Sequence, residues 1–313
     1  MTEALGVGGL VELAVVERSG LIESRHLGAA IVLEADGSER VLGDVDALIY
    51  PRSTLKLMQA VAVQRLGATL DGVELVLSAA SHVGTPAHVD AVRAILGRAG
   101  LDEGALACPV SWPADAPSRR AASAAERVTM GCSGKHAAFL LACVRQGWPT
   151  EGYLNPEHPL QRAIVAVVEE LSGERVEHAG VDGCGAPVFA LTLRGLARGV
   201  RAAVADPDGA RLAEAIRTHP WALDNPSVTE VIRETGLVAK SGAEGVFVAV
   251  AADGTTVALK VIDGSIRALV PVGLALLERA GAVDAVAGAR VVSETTERVL
   301  GGGEDVGVLR AVV

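Results

Sequence analysis

Apolar residues run in short β-branched stretches at both ends of the chain and recur at helical spacing through its middle. Near the start, Val11–Val16 reads as a strand, and Ala29–Leu33 and Arg40–Leu42 flank Asp36-Gly37, a dipeptide suited to a tight hairpin turn. After Pro51 the period lengthens. Leu55, Met58, Ala62 and Leu66 share one helix face, and Ala91–Gly97, Lys135–Gln146 and Leu160–Leu171 repeat that pattern. Strands return as Gly245–Ala251 and Thr256–Ile262 around a second turn at Asp253-Gly254; a helix over Pro271–Ala280 and a last strand over Val306–Val313 follow. This order predicts an α+β fold, an antiparallel sheet from both chain termini packed with helices, plus a helical middle region. One domain over residues 1–313 is expected, with its site in the cleft between sheet and helical part.

Composition narrows the function. At 313 residues, 50% hydrophobic and 21% charged, the chain has the makeup of a folded protein. A net charge of −10 argues against nucleic acid as a partner. No apolar run approaches a bilayer span, so no membrane partner is expected. The start, Met1-Thr2-Glu3, has no basic or apolar leader, and four cysteines are too few for a disulfide scaffold. A cytoplasmic location is the expectation.

The basic residues are more telling, because only four of 28 are lysines: Lys56, Lys135, Lys240 and Lys260. Arginine replaces lysine in ion pairs but keeps its proton at any working pH, so it cannot supply a neutral amine. The surviving lysines therefore mark candidate sites of amine chemistry, or places where a guanidinium does not fit. Ser53-Thr54-Leu55-Lys56 opens a predicted helix, and i, i+3 spacing lets the hydroxyl and amine meet. A lysine whose pKa is lowered can take the serine proton, and the helix N-terminus favours a developing oxyanion. Ser81-His82 follows as a possible second hydroxyl or proton relay, or as a turn with a capping serine. Cys132, Lys135 and His136 open another helix, and Cys184 sits in a glycine-rich turn. Two thiols and a nitrogen donor could bind zinc, although buried inert thiols are the commoner outcome at this spacing. Cys108 and Cys143 read as structural. Lys240-Ser241-Gly242 is expected just before a strand, and Lys260 late within one.

Taken in order, these elements resemble the rhizobial-type (class 3) L-asparaginases. The resemblance is carried by Arg18-Ser-Gly, Glu23-Ser24-x-His26, Pro51-Arg52-Ser53-x-x-Lys56, Ser81-His82, Cys132-Ser-Gly-Lys135-His136, His158-Pro159-x-Gln161, Asp182-Gly-Cys184-Gly, Ala239–Gly245 and Leu259-Lys260 before Asp263-Gly264. It implies a serine β-lactamase- or glutaminase-like fold, a homodimer, and two Ser-Lys pairs, Ser53 with Lys56 and Ser81 with Lys260. It also implies one zinc per chain on Cys132, Lys135 and Cys184, either structural or substrate-orienting.

The expected reaction is hydrolysis of a small-molecule amide, L-asparagine, to L-aspartate and ammonia. Arg52 and Asp182 suit the substrate's α-carboxylate and α-amino group on charge grounds. His82, His136 and Gly242 complete the expected substrate-binding set. A glutaminase or penicillin-type acyl hydrolase is the enzymatic alternative, and a non-catalytic amino-acid- or zinc-binding protein the other. The chain departs from the family pattern at Met130-Gly131, Thr85, Ile262 and Trp221–Glu230, which bears on substrate preference more than on reaction type.

Overall fold

A computed structural model describes residues 3–313; Met1 and Thr2, on which the expectation about the start of the chain rests, lie outside the described residues. The chain forms two compact units, one of residues 1–54, 191–201 and 226–313, the other of residues 55–190 and 202–225.

The first unit carries an eight-stranded sheet. Its strands are β1 (Val11–Arg18), β2 (Leu21–Leu33), β3 (Glu39–Leu42), β4 (Val238–Gly242), β5 (Val246–Val250), β6 (Thr256–Val261), β7 (Val299–Gly301) and β8 (Glu304–Ala311). They lie side by side in the order β7-β8-β1-β2-β6-β5-β4, with β3 added to β2, and their pairings are antiparallel. Ala14 faces Ala311, so the first and last strands are neighbours, as the terminal β patterns predict. Both hairpin dipeptides turn the chain: Asp36 Oδ1 accepts from Ser38 N, and Asp253 Oδ1 from Thr255 N. Strand β2 starts well before its predicted apolar half. Residues Leu21–Arg25 are exposed or half-buried and give no burial signal, and pairing with β1 extends the strand through them. The Lys240-Ser241-Gly242 element is itself strand β4 rather than the loop before a strand.

The second unit is mainly helical. Helices Lys56–Arg65, Pro86–Arg98, Ser133–Gln146 and Pro159–Ser172 correspond to the four periodic stretches. The apolar run Val73–Leu77 forms a further helix, Gly72–Ser78, started by the Asp71 carboxyl accepting from Gly72 N. Ala179–Val181 and Pro187–Phe189 pair as a small hairpin. Among the described residues no helix is long and apolar enough to cross a membrane.

Candidate active site

In the sheet unit, Arg52 and Ser53 lie in a 3-10 turn, Arg52–Leu55, that runs directly into the Lys56 helix. Arg52 adopts φ 52°, a left-handed conformation unusual for a side chain of its size. Thr54 fastens the turn, its N–H and hydroxyl both donating to Pro51 O. Gly242 at the end of β4 packs against this turn: a Cβ there would stand 2.8 Å from Pro51 O. Only glycine lets the Lys-Ser-Gly strand lie this close to the Ser53 turn.

Lys260, also in this unit, is half-buried between Ala29 of β2 and Val246 of β5, neither of which carries charge. Its amine donates to Glu244 O and to Val261 O. Burial lowers its pKa and Arg52 adds to that, while Glu244 and Asp263 oppose it; the net direction is down.

In the helical unit, Lys56 is 1% exposed, and its amine is hydrogen-bonded within the protein. It donates to Ala80 O at 2.6 Å, Ser81 Oγ at 2.9 Å and Cys132 Sγ at 3.1 Å. The Ala80–Ser81 segment is fixed from two sides, Ser81 N donating to Leu223 O and His82 N to Gly131 O. His82 is locked by its own contacts. Ser133 Oγ donates to Val128 O, so His82 Nε2–H donates to Ser133 Oγ, and Gly84 N donates to His82 Nδ1. Both ring nitrogens of His82 are thus engaged within the protein, which makes it a brace for the Ser81 segment. Burial, with His88 and Lys56 nearby, holds its pKa well below the usual histidine range.

Lys135 is buried, and its amine donates to Cys184 Sγ at 3.3 Å. Burial works against its charge, but Cys184, Cys132 and Asp182 outweigh burial and raise its pKa. Cys132 interacts with the Cys184 thiol and lies within the field of Lys56 and Lys135, so it is the thiol that yields its proton, while Cys184 keeps its own. Cys108 and Cys143 differ: burial pushes each up to about 11, as expected of inert thiols. Among the described residues no cluster of three or more His, Cys, Asp or Glu side chains is placed to hold a metal ion. The two thiols and the buried amine nonetheless form a soft donor set whose chemistry fits zinc.

His136 is buried beside Lys135. Ala107 N donates to Tyr153 Oη, which donates to His136 Nδ1 at 2.7 Å, leaving the ring proton on Nε2 with no partner among the described residues. Asp182 sits in the hairpin turn before Cys184, its Oδ1 accepting from Gly183 N. Ser53 and Lys260 belong to the sheet unit, and Lys56, Ser81, the two cysteines, Lys135, His136 and Asp182 to the helical unit. Sequence reasoning missed the Lys56–Ser81 and Lys56–Cys132 contacts, and missed Ser133 and Tyr153 as partners of the two histidines. These pairs are distant along the chain and share no motif spacing.

Three departures from the family pattern have local reasons. A Cβ at Gly131 would press to 2.9 Å from His82 O, Met130 Sδ accepts from Cys132 N, and Thr85 caps the Pro86–Arg98 helix. Trp221 O accepts from His88 Nε2.

The family model for L-asparaginase II matches residues 14–311. Among solved structures, the native form of Mglu is similar over 80% of this chain, at 11% identity and a TM-score of 0.47; the chain spans 63% of that protein's length. A Bacillus glutaminase is similar over 85% of this chain and 89% of its own, at 11% identity and a TM-score of 0.40. No curated protein matches the chain significantly.

Proposed function

The chain belongs to the L-asparaginase II family, and from that premise we propose that it is an amidohydrolase that hydrolyses L-asparagine through a Ser-Lys acyl-enzyme. The observation that carries this reading is the buried Lys56 amine at the start of the helix that the Ser53 turn runs into, hydrogen-bonded to the Ser81 hydroxyl of the proposed second pair. Ser53 Oγ attacks the side-chain carboxamide carbon while Lys56 takes the hydroxyl proton. The C–N bond then breaks, the proton leaves with ammonia, and water cleaves the resulting ester to give L-aspartate. Ser81 and Lys260 form the second pair, passing protons to and from Lys56.

Arg52 receives the α-carboxylate and Asp182 the α-amino group; the His136 Nε2–H, which has no partner among the described residues, and Gly242 are the other proposed substrate contacts. Cys132, Lys135 and Cys184 would hold one zinc, whose charge would serve a structural or substrate-orienting role. We read the architecture as serine β-lactamase-like, the assembly as a homodimer and the location as cytoplasmic.

A second reading is favoured by one contact: the hydroxyl Lys56 touches is that of Ser81, which could be the nucleophile instead. Intact-mass measurement of the acyl-enzyme after rapid quenching separates the two. Under the main reading the adduct is lost in Ser53→Ala and retained in Ser81→Ala; the reverse pattern assigns Ser81.

A further inference from the structure

The motif residues Ser24 and His26 take no part in the proposed reaction, yet His26 is 2% exposed and fully hydrogen-bonded. Arg267 Nε donates to His26 Nε2 at 2.8 Å, and Arg267 Nη2 to Ser24 Oγ at 3.0 Å. With Nε2 accepting, the ring proton lies on Nδ1 and is donated to Asp263 Oδ2 at 2.9 Å. Asp263 Oδ1 accepts from Ser265 N at 2.8 Å, so both carboxyl oxygens are fixed. Asp263 sits in the turn leaving β6, the strand that carries Lys260.

We propose that His26 is a positioning residue for Lys260: locked between Arg267 and Asp263, it fixes the Asp263 carboxylate at the end of the Lys260 strand. The charged groups acting on Lys260 are Asp263, Glu244 from the β4–β5 turn and Arg52 from the Ser53 turn; β2 and β5 present only Ala29 and Val246. Glu244 is held at φ 62° with its carbonyl on the Lys260 amine, so that side of the amine is already committed. Asp263 is the acid whose placement depends on a side chain, and that side chain is His26. The carboxylate favours the charged amine, so the clamp sets how readily Lys260 gives up its proton.

The functional weight of the clamp rests on the reading of Lys260 as a proton-handling residue. With four lysines in the chain, the full-length protein labelled with 13C at the lysine ε-carbons gives four resonances, and Lys260→Arg assigns one by its loss. Asp263→Asn is expected to shift the Lys260 titration to lower pH. His26→Gln keeps an acceptor for Arg267 but loses the Nδ1 donor, and is expected to shift it the same way. His26→Asn, whose amide N–H stands near the Nδ1 position, is expected to restore it, and His26→Gln is expected to add nothing once Asp263 is Asn. An unmoved Lys260 in Asp263→Asn, a half-exposed site where folding is not at issue, overturns the proposal. So does a folded His26→Gln that titrates as wild type. The titration needs no turnover, so a chain that hydrolyses no amide would refute the catalytic reading alone.

Discussion

Lys135 and Lys260 are the same residue in two environments, and their protons respond in opposite directions. Burial disfavours the charge on both. Lys135 is the more buried, yet its pKa rises, because its interactions with the Cys184 sulfur, Cys132 and Asp182 outweigh burial. Lys260 is only half-buried, yet its pKa falls, because burial and the Arg52 charge outweigh the opposition from Glu244 and Asp263. The nearby charges decide the outcome, and depth alone does not. Each environment suits its proposed task. The proposed roles are a metal donor for the amine among thiols and a base for the amine whose pKa is lowered.

The sharpest way to break the comparison is to replace the proposed bases by a residue that cannot lose its proton. Lys56→Arg and Lys260→Arg are each expected to lower kcat on the order of 10^2–10^4-fold while circular dichroism stays native. Near-wild-type ammonia release from either variant would remove the base role. Lys135 should fail differently. Lys135→Met is expected to abolish zinc binding by metal analysis and titration, with a smaller loss of turnover. In the wild type, occupancy of about one zinc per chain should fall as pH drops, because the donor set must shed protons to bind. Wild-type protein that takes up no zinc at any pH would sink the metal assignment.

A finer test uses pH. Lys260 loses its proton below the ordinary lysine value of about 10.4, and only the neutral form accepts a proton. The rate should therefore climb with pH above neutrality and level off once the amine is neutral. A flat profile between pH 6 and about pH 10 would mean that no lysine titrates in the rate-limiting step. The smallest effect belongs to a thiol outside the site. Cys143→Ala should cost about 1 kcal/mol in thermal unfolding and leave kcat/KM unchanged.

The sequence reveals the features that local chemistry sets. Asp36-Gly37 and Asp253-Gly254 turn where their dihedral preferences require, and the helical periods at Leu55 and Leu160 mark real helices. Four lysines among 28 basic residues draw attention to Lys56 and Lys135, and both prove buried with their amines on cysteine sulfurs. Legibility stops where contact is made through space. Val73–Leu77 is too short for its period to separate helix from strand, and Leu21–Arg25 is strand only because β1 lies beside it. Lys56 meets Cys132 across 76 residues and His26 meets Arg267 across 241, separations that no motif spacing encodes.

The central claim is tested most directly by ammonia release from L-asparagine, with L-glutamine in parallel, for the wild-type chain and Ser53→Ala. The account predicts release from L-asparagine in preference to L-glutamine, and its loss in a folded Ser53→Ala that still binds L-asparagine. Wild-type protein that binds L-asparagine without turnover, or Ser53→Ala that turns it over at the wild-type rate, would contradict it.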